Sequence, residues 1–253
     1  MKRLLPATLL ALFITQADAL DLGTLKDAIQ SPSNSNATTS SNSGTGVSSL
    51  TNEETSGGLK EALTQGVGKA VASLGAADGF LGNKEVKIPL PKSLKKVEKV
   101  MKLMGMQKQS DELVLKMNRA AEAAVPEAKT LLVDSIKQMT LADAKAILTG
   151  PQDSATQYFK KTTSKQMAEK FLPIVEKATA NVQLADSYNK YAGQGAKLGV
   201  VKKEDANINQ YVTQKALDSV YLMIAKEEAA IRANPLGQAN GLIKKVFGSI
   251  FGR

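Results

Sequence analysis

Apolar residues recur at intervals of three and four along most of the chain, which is the spacing of one face of an α-helix. The first clear run ends near Gly75, and the longest extends from about Ile208 to Ala233, where Asn234 and Pro235 stop it. The apolar positions of the first run are Leu59, Leu63, Val67, Ala70, Val71 and Leu74. The pattern predicts an all-α, compact multi-helix domain of about eight to nine helices.

One stretch departs from the helical spacing. From Val86 to Pro91, apolar positions alternate with polar or proline positions, and turn residues precede them at 78–83. A period of two is typical of extended chain, and proline cannot donate a hydrogen bond within a sheet. The pattern predicts a short extended arm or an edge strand. Whether the arm at Pro89 and Pro91 covers a pocket or exchanges between subunits stays open.

Proline and capping residues predict several helix boundaries. Pro126 removes an amide donor and is expected to kink or restart a helix. Thr140, followed three residues later by Asp143, forms an approximate capping box. Pro173 predicts an interruption of the helix that starts near Ser164.

The start of the chain has the order of an export signal in residues 1–19. Lys2 and Arg3 are followed by an apolar stretch and by the small residues Ala17 and Ala19 at the cleavage site. The apolar stretch is shorter than the roughly 20 residues that span a bilayer. We therefore expect export through a cleaved signal peptide and a periplasmic location.

Composition then divides the rest of the chain. Residues 20–30 predict a short N-terminal segment. In residues 31–58, 22 of 28 residues are Ser, Thr, Asn or Gly. The stretch therefore has too few apolar side chains to offset the loss of chain entropy on folding. We predict a disordered linker over 31–58 and a helical domain over 59–253, which includes an amphipathic C-terminal helix at 236–253.

The absence of Cys and His excludes several classes of chemistry. Thiol proteases, Ser-His-Asp hydrolases and zinc sites built from His or Cys all need one of these residues. No phosphate-binding glycine loop or calcium-binding loop occurs either, so we expect no cofactor and no metal site. The net charge of +9 raises the question of nucleic acid, but carboxylates are interleaved with the lysine pairs throughout, which makes nucleic acid an unlikely partner.

Several strings of residues are distinctive when taken together. They are Gly58 to Leu63, Asp78 to Asn83, Val86 to Pro91, Asn118 to Pro126, Thr156 to Thr163, Val212 to Asp218 and Asn234 to Gly237. In order and without large gaps, over roughly 57–247, the chain resembles the bacterial domain-of-unknown-function family 4197. The resemblance implies an exported helical protein of Gram-negative bacteria. It carries no assigned reaction, ligand or catalytic residue to this sequence.

The C-terminal segment has an apolar doublet every four residues, which forms a continuous stripe on a helix. The stripe consists of Leu242, Ile243, Val246, Phe247, Ile250 and Phe251. With Lys244 and Lys245 beside it, the stripe is a candidate for contact with a membrane or a partner. The alternative, which we favour, is a last helix docked on the core, since Gly248 and Gly252 weaken the final turns.

Asp111, Asn118 and Glu122 are separated by seven and four residues and share one helix face, with Arg119 beside them. These residues are candidates for lining a polar cleft, where two carboxylates can serve as acid and base. A solvated helix face is the favoured alternative. Arg119 is equally suited to a structural salt bridge with Glu122 or Glu127.

Tyr158 and Phe159 directly precede Lys160 and Lys161, and this combination is a candidate contact for an anionic ligand. The alternative is that one ring packs in the core while both lysines remain in water.

Together these features predict a non-catalytic, exported binding module. Its ligand is expected to be an apolar or amphipathic molecule of the cell envelope, or the membrane surface itself. A protein-protein interaction or structural module of the envelope is the alternative. A hydrolase that uses carboxylates such as Asp111 and Glu122 is a second and weaker alternative, because without His or Cys its base must be Asp, Glu, Lys or Tyr.

Overall fold

The computed structural model of the protein describes residues 50–95, 103, 105, 107–199, 201–202, 205–238 and 240–251. The predicted signal peptide, the segment at 20–30 and most of the predicted linker lie outside these residues. Eight helices occur in the described ranges: α1 (Asn52–Gly75), α2 (Gln107–Ala124), α3 (Pro126–Gln138), α4 (Leu141–Thr149), α5 (Ser154–Thr179), α6 (Gln183–Lys197), α7 (Ile208–Ala233) and α8 (Gly241–Phe251). The all-α fold is confirmed, and the described residues contain no strand.

Helix α1 begins within the segment that composition assigned to the linker. Thr51 accepts a hydrogen bond from the Glu54 N–H, and the Glu54 carboxylate accepts one from the Thr51 N–H. This capping box satisfies two amide groups that a helix start leaves open, and it places the start at Asn52. The predicted domain boundary at residue 59 is therefore corrected, because capping outweighs the low apolar content of this stretch.

Helix α5 is central and contacts α2, α3, α4 and α7. Every fourth residue from Phe159 to Val175 is buried, and Phe171 and Val175 on either side of Pro173 are fully enclosed. The helix continues through Pro173, so the predicted interruption there is wrong. Burial of the flanking side chains offsets the backbone hydrogen bond that a proline within a helix removes.

The first turn of α5 is capped by a side chain from another helix. Asp153 makes no side-chain capping bond, but Glu228 of α7 accepts hydrogen bonds from the N–H groups of Ala155 (3.0 Å) and Thr156 (3.1 Å). Arg232 donates to the same carboxylate at 3.1 Å and to the Ile147 carbonyl at 2.7 Å. A buried carboxylate is stable here because amide donors and a guanidinium surround it.

Helices α1 and α8 pack closely on each other, and Leu59 and Phe247 border the same small hollow as Glu228. A Cβ atom added to Gly58 would lie 2.5 Å from Cγ2 of Val246, so only glycine permits this approach. Ile243, Val246 and Phe247 of α8 are buried. The last described helix is therefore part of the core, and no helix in the described ranges is both long and apolar enough to cross a membrane.

Candidate functional site

A tight loop follows α1 and leads into the extended segment. Asp78 has a φ of 64°, and a Cβ atom on Gly79 would lie 2.5 Å from the carbonyl oxygens of Ser73 and Leu74. Gly79 is therefore required by the close approach of the backbone to the end of α1.

The buried carboxylate of Glu122 holds this loop. It accepts hydrogen bonds from the N–H groups of Phe80 at 3.0 Å and Leu81 at 3.1 Å. Arg119 donates to Glu122 at 2.6 Å and to Asp78 at 2.8 Å, and these two carboxylates raise the pKa of the guanidinium, with the Glu122 hydrogen bond as the largest cause. The loop is thus fixed to α2 by charge-assisted hydrogen bonds.

The segment at 84–91, which we call the arm, consists of a turn at 84–86 and non-helical chain at 87–91, and it is fastened to α2 by Asn118. The Asn118 Oδ1 accepts from the Ile88 N–H at 2.8 Å, and its Nδ2 donates to the Ile88 carbonyl at 2.9 Å. Val86, Ile88 and Leu90 are buried while Lys87 and Pro89 are exposed, as the alternation in the sequence predicts. The Asn118 side chain therefore makes with Ile88 the pair of backbone hydrogen bonds that a neighbouring strand would make.

Two tyrosines fasten the other side of the arm. The Tyr211 hydroxyl of α7 donates to the Pro89 carbonyl at 3.0 Å. Just after the arm, the Tyr188 hydroxyl donates to the Asp205 carbonyl and accepts from the Ser93 hydroxyl at 2.9 Å. Burial, followed by the negative charge of Asp205, raises the pKa of Tyr211 to about 12. Burial also raises the pKa of Tyr188. Both phenols are therefore neutral and able to donate at physiological pH.

A groove of about 650 Å³, which we call the arm groove, lies between the arm and α7. Five lysines line it: Lys87, Lys92, Lys95, Lys202 and Lys215. Three carboxylates also line it, and two of them have partners, since Glu85 pairs with Lys226 and Asp218 lies 3.9 Å from Lys215. Lys87, Lys92 and Lys95 are exposed and form no ion pair with any residue that the structure describes. The arm groove therefore carries an excess of positive charge.

A second groove, which we call the side groove, lies between the arm and α2 and measures about 410 Å³. It shares Lys87, Pro89, Leu90 and Lys95 with the arm groove, so the arm forms the wall between the two. Its other apolar residues are Leu81, Val114 and Leu115. Apart from the residues that the two grooves share, Ser110 and Asp111 are the polar residues of the side groove, whereas the arm groove has three further lysines.

The sequence model of a protein family, described as a protein of unknown function (domain-of-unknown-function family 4197), matches residues 49–248. The chain belongs to this family. No curated protein and no solved structure matches it. The match spans the loop, the arm and both grooves, so these features lie within the region that defines domain-of-unknown-function family 4197.

The structure separates the four residues that were candidates for a polar cleft. Asp111 is exposed and lines the side groove, whereas Asn118 and Glu122 are buried and bind the backbone of the arm and its loop. Arg119 forms the salt bridge with Glu122 that was one of the alternatives. The two carboxylates thus do not face one cleft: Glu122 is directed at the 80–81 amides, and its other oxygen at Arg119.

Tyr158, Lys160 and Lys161 do not form one site either. The Tyr158 hydroxyl donates to the Ser135 carbonyl at 3.0 Å, and Phe159 is fully buried. Lys160 lies over the ring of Tyr221, 5.9 Å from its centre, and lines a groove with it, while Lys161 lines another groove with Tyr158 and Asp143. The two lysines are neighbours in sequence, but the helix directs them to separate grooves.

The C-terminal stripe is divided between the core and the surface. Ile243, Val246 and Phe247 are buried against the core, Leu242 is half-buried, and Ile250 is 41% exposed. The side chain of Phe251 lies outside the described residues. This corrects the contact prediction for the three buried residues, since the close approach of α1 and α8 encloses them while α8 is docked.

Sequence reasoning missed the lysines of the arm groove as a group. They come from the arm, from residues 92–95 and from the chain around α7, and no fixed spacing connects them. The alternation at Lys87 and Pro89 was a usable signal, because it indicated which arm residues would be exposed. Glu228 and Arg232 have the i, i+4 spacing of a helix pair, but that spacing does not reveal that they cap α5.

Proposed function

We propose that this protein is a non-catalytic binding module of the cell envelope, exported through its predicted signal peptide into the periplasm. Its arm groove holds the anionic part of an amphipathic ligand. The observation that carries the proposal is the set of three exposed lysines, Lys87, Lys92 and Lys95, on one rim of the groove without an ion-pair partner among the described residues. An anionic group placed there gains charge-assisted contacts.

The packing of the core supports a surface site over an internal one. The hollow bordered by Leu59, Ile231 and Phe247 measures about 10 Å³, which is close to the smallest space that holds one water. The arm groove is far larger and lies within the common size range of ligand sites. We therefore place the ligand against the arm and not between the core helices.

The hydrogen bonds of Glu122 support a non-catalytic role. Its Oε1 atom accepts from two backbone N–H groups, and its Oε2 atom accepts from Arg119. A carboxylate engaged in this way is poorly placed to take a proton from a substrate. The carboxylate-based hydrolase thus loses one of its two proposed groups.

A protein-protein interaction module is the second candidate. The arm groove is open to solvent and has the exposed Leu222 on its α7 side, which suits a segment of another protein as well as a small molecule. Crosslinking in cells from an amino acid with a photoreactive side chain at Leu222 separates the two. A discrete protein adduct supports the interaction module, and its absence together with a bound small molecule supports the ligand site.

The direct test is calorimetric titration of decyl phosphate, below its micelle concentration, into the full chain. We expect Lys87→Gln, Lys92→Gln and Lys95→Gln combined to weaken binding about tenfold, since three exposed charge contacts contribute roughly 0.5 kcal/mol each. The matched control combines Lys129→Gln, Lys145→Gln and Lys177→Gln, which removes the same charge from exposed positions outside both grooves. Equal weakening in both variants overturns the proposal, because net charge alone then explains binding.

A further inference from the structure

We infer that the side groove is the apolar half of the same site, so that the ligand is a single-tailed anionic amphiphile bound as a monomer across the arm. This inference rests on the proposed function, since it assigns the anionic head to the arm groove. It adds the chemical class of the ligand and a second set of contact residues.

The two grooves share four lining residues. Lys87 and Lys95 line both grooves, and so do the apolar residues Pro89 and Leu90, which lie between the two grooves. A head that contacts these lysines is therefore placed at the entrance of the side groove.

The side groove adds apolar residues that the arm groove lacks. Leu81, Val114 and Leu115 give the side groove apolar walls, and the Leu115 side chain leaves 40% of its surface exposed. Asp111 is the carboxylate in that lining, and it disfavours a second anionic group in the groove. An apolar tail that covers Leu115 removes apolar surface from water without bringing a charge near Asp111.

The arm offers few free backbone N–H groups to a peptide. The N–H groups of Val86 and Lys87 donate to the Asn83 carbonyl, and that of Ile88 donates to Asn118. Pro89 and Pro91 have no N–H, so within 86–91 at most the Leu90 amide is left for an incoming strand. Strand addition, the common mode by which an extended segment binds a peptide, is thus blocked. Recognition must come from side-chain charge and apolar contact.

The test compares three probes on the full chain: inorganic phosphate, decyl phosphate below its micelle concentration, and vesicles that contain phosphatidylglycerol. We expect decyl phosphate to bind at least tenfold more tightly than inorganic phosphate, because only the former fills the side groove. We expect Leu115→Ser to weaken the binding of decyl phosphate about fivefold and to leave the affinity for inorganic phosphate unchanged. Leu141→Ser is the matched control, since Leu141 is 38% exposed and lines neither groove.

The outcomes separate this inference from the proposed function. If decyl phosphate and inorganic phosphate bind equally and both depend on the three arm lysines, the side-groove inference fails and the proposed function stands. If neither probe binds, the proposed function fails as well. Binding to vesicles alone, without binding of the monomer, also overturns the inference and favours a membrane surface. Circular dichroism of each variant confirms that Leu115→Ser is folded before its affinity is compared.

Discussion

Two buried glutamates bind backbone amides in the same way, one at the start of α5 and one in the loop before the arm, yet their surroundings differ. Glu228 and its partner Arg232 have side chains that are 4% and 7% exposed. Glu122 is 7% exposed, but its partner Arg119 is 40% exposed and continues to Asp78 at the surface. The first pair is enclosed in the core, whereas water reaches the second.

This difference indicates how each region tolerates change. A buried charge that loses its partner has no solvent to replace it, whereas a half-exposed guanidinium regains hydration. The start of α5 is therefore a fixed part of the scaffold. The loop and arm are held by contacts that water can partly replace, and this is the part of the protein where we place the ligand.

Glu228→Gln is expected to lower the free energy of unfolding by about 3 to 5 kcal/mol. The substitution removes the charge that Arg232 contacts at 3.1 Å, and it places an amide NH₂ group against the N–H donor of either Ala155 or Thr156. Urea denaturation measures the loss. The control is Glu227→Gln on the same helix, where the carboxylate is partly exposed and pairs with Lys69 at 3.6 Å, and where we expect a loss of at most about 0.5 kcal/mol. Equal losses in the two variants would contradict the enclosed character of the Glu228 site.

Glu122→Gln is expected to lower the free energy of unfolding by about 1 to 3 kcal/mol, less than Glu228→Gln, because Arg119 can rehydrate. The loss should be local, so amide hydrogen exchange at Phe80 and Leu81 should accelerate while exchange in α5 stays unchanged. Glu112→Gln, at an exposed position of the same helix, serves as the control. Accelerated exchange throughout the core would show that the loop and the scaffold unfold together.

Tyr211→Phe tests the neutral hydrogen bond on the other side of the arm. A phenol whose folded pKa is raised from 10 to about 12 stabilises the fold fully below pH 10 and loses this contribution as the pH rises through 12. The difference in the free energy of unfolding between the wild type and Tyr211→Phe should therefore decrease by on the order of 2 kcal/mol across this pH range. Lysine deprotonation is common to both proteins and cancels in the difference. Denaturation at several alkaline pH values measures it, and a difference that does not vary with pH would contradict the buried, neutral state of the phenol.

Substitutions at Asp78 are expected to have the smallest effect. Its pair with Arg119 is exposed at both side chains and contributes at most about 1 kcal/mol. Because its φ is 64°, Asp78→Ala should lower stability by about 1 kcal/mol, whereas Asp78→Gly should be close to neutral, since glycine adopts this conformation without strain. Thermal melting of the two variants gives the comparison. If Asp78→Gly lowers stability as much as Asp78→Ala, then the ion pair that both variants lose, and not the backbone conformation, dominates at this position.

Much of the fold follows from local sequence. The capping box of Thr140 and Asp143 forms as predicted, with the Asp143 N–H donating to Thr140 at 3.1 Å. The restart at Pro126 also occurs, with the proline in the first turn of α3. Two boundaries were wrong for opposite reasons: at Asn52 a local cap outweighs poor composition, and at Pro173 packing outweighs a local helix breaker.

The candidate site was less predictable. Asp111, Asn118, Arg119 and Glu122 were identified as an unusual polar group on α2, but their roles depend on the loop and arm, which lie 30 to 42 positions earlier in the chain. The same pattern fits a catalytic cleft, a solvated face and a set of backbone anchors. Only the position of the 80–88 backbone against α2 distinguishes these roles.

The sequence by itself determined the all-α class, most helix ends and the alternation of the arm, because periodicity and capping act between residues a few positions apart. The tertiary structure alone decided that α8 docks on Gly58, that Glu228 caps α5, and that lysines from separate segments meet at one groove. These features depend on which distant surfaces pack together. That choice is made by the shape and burial of the whole core, not by any local pattern.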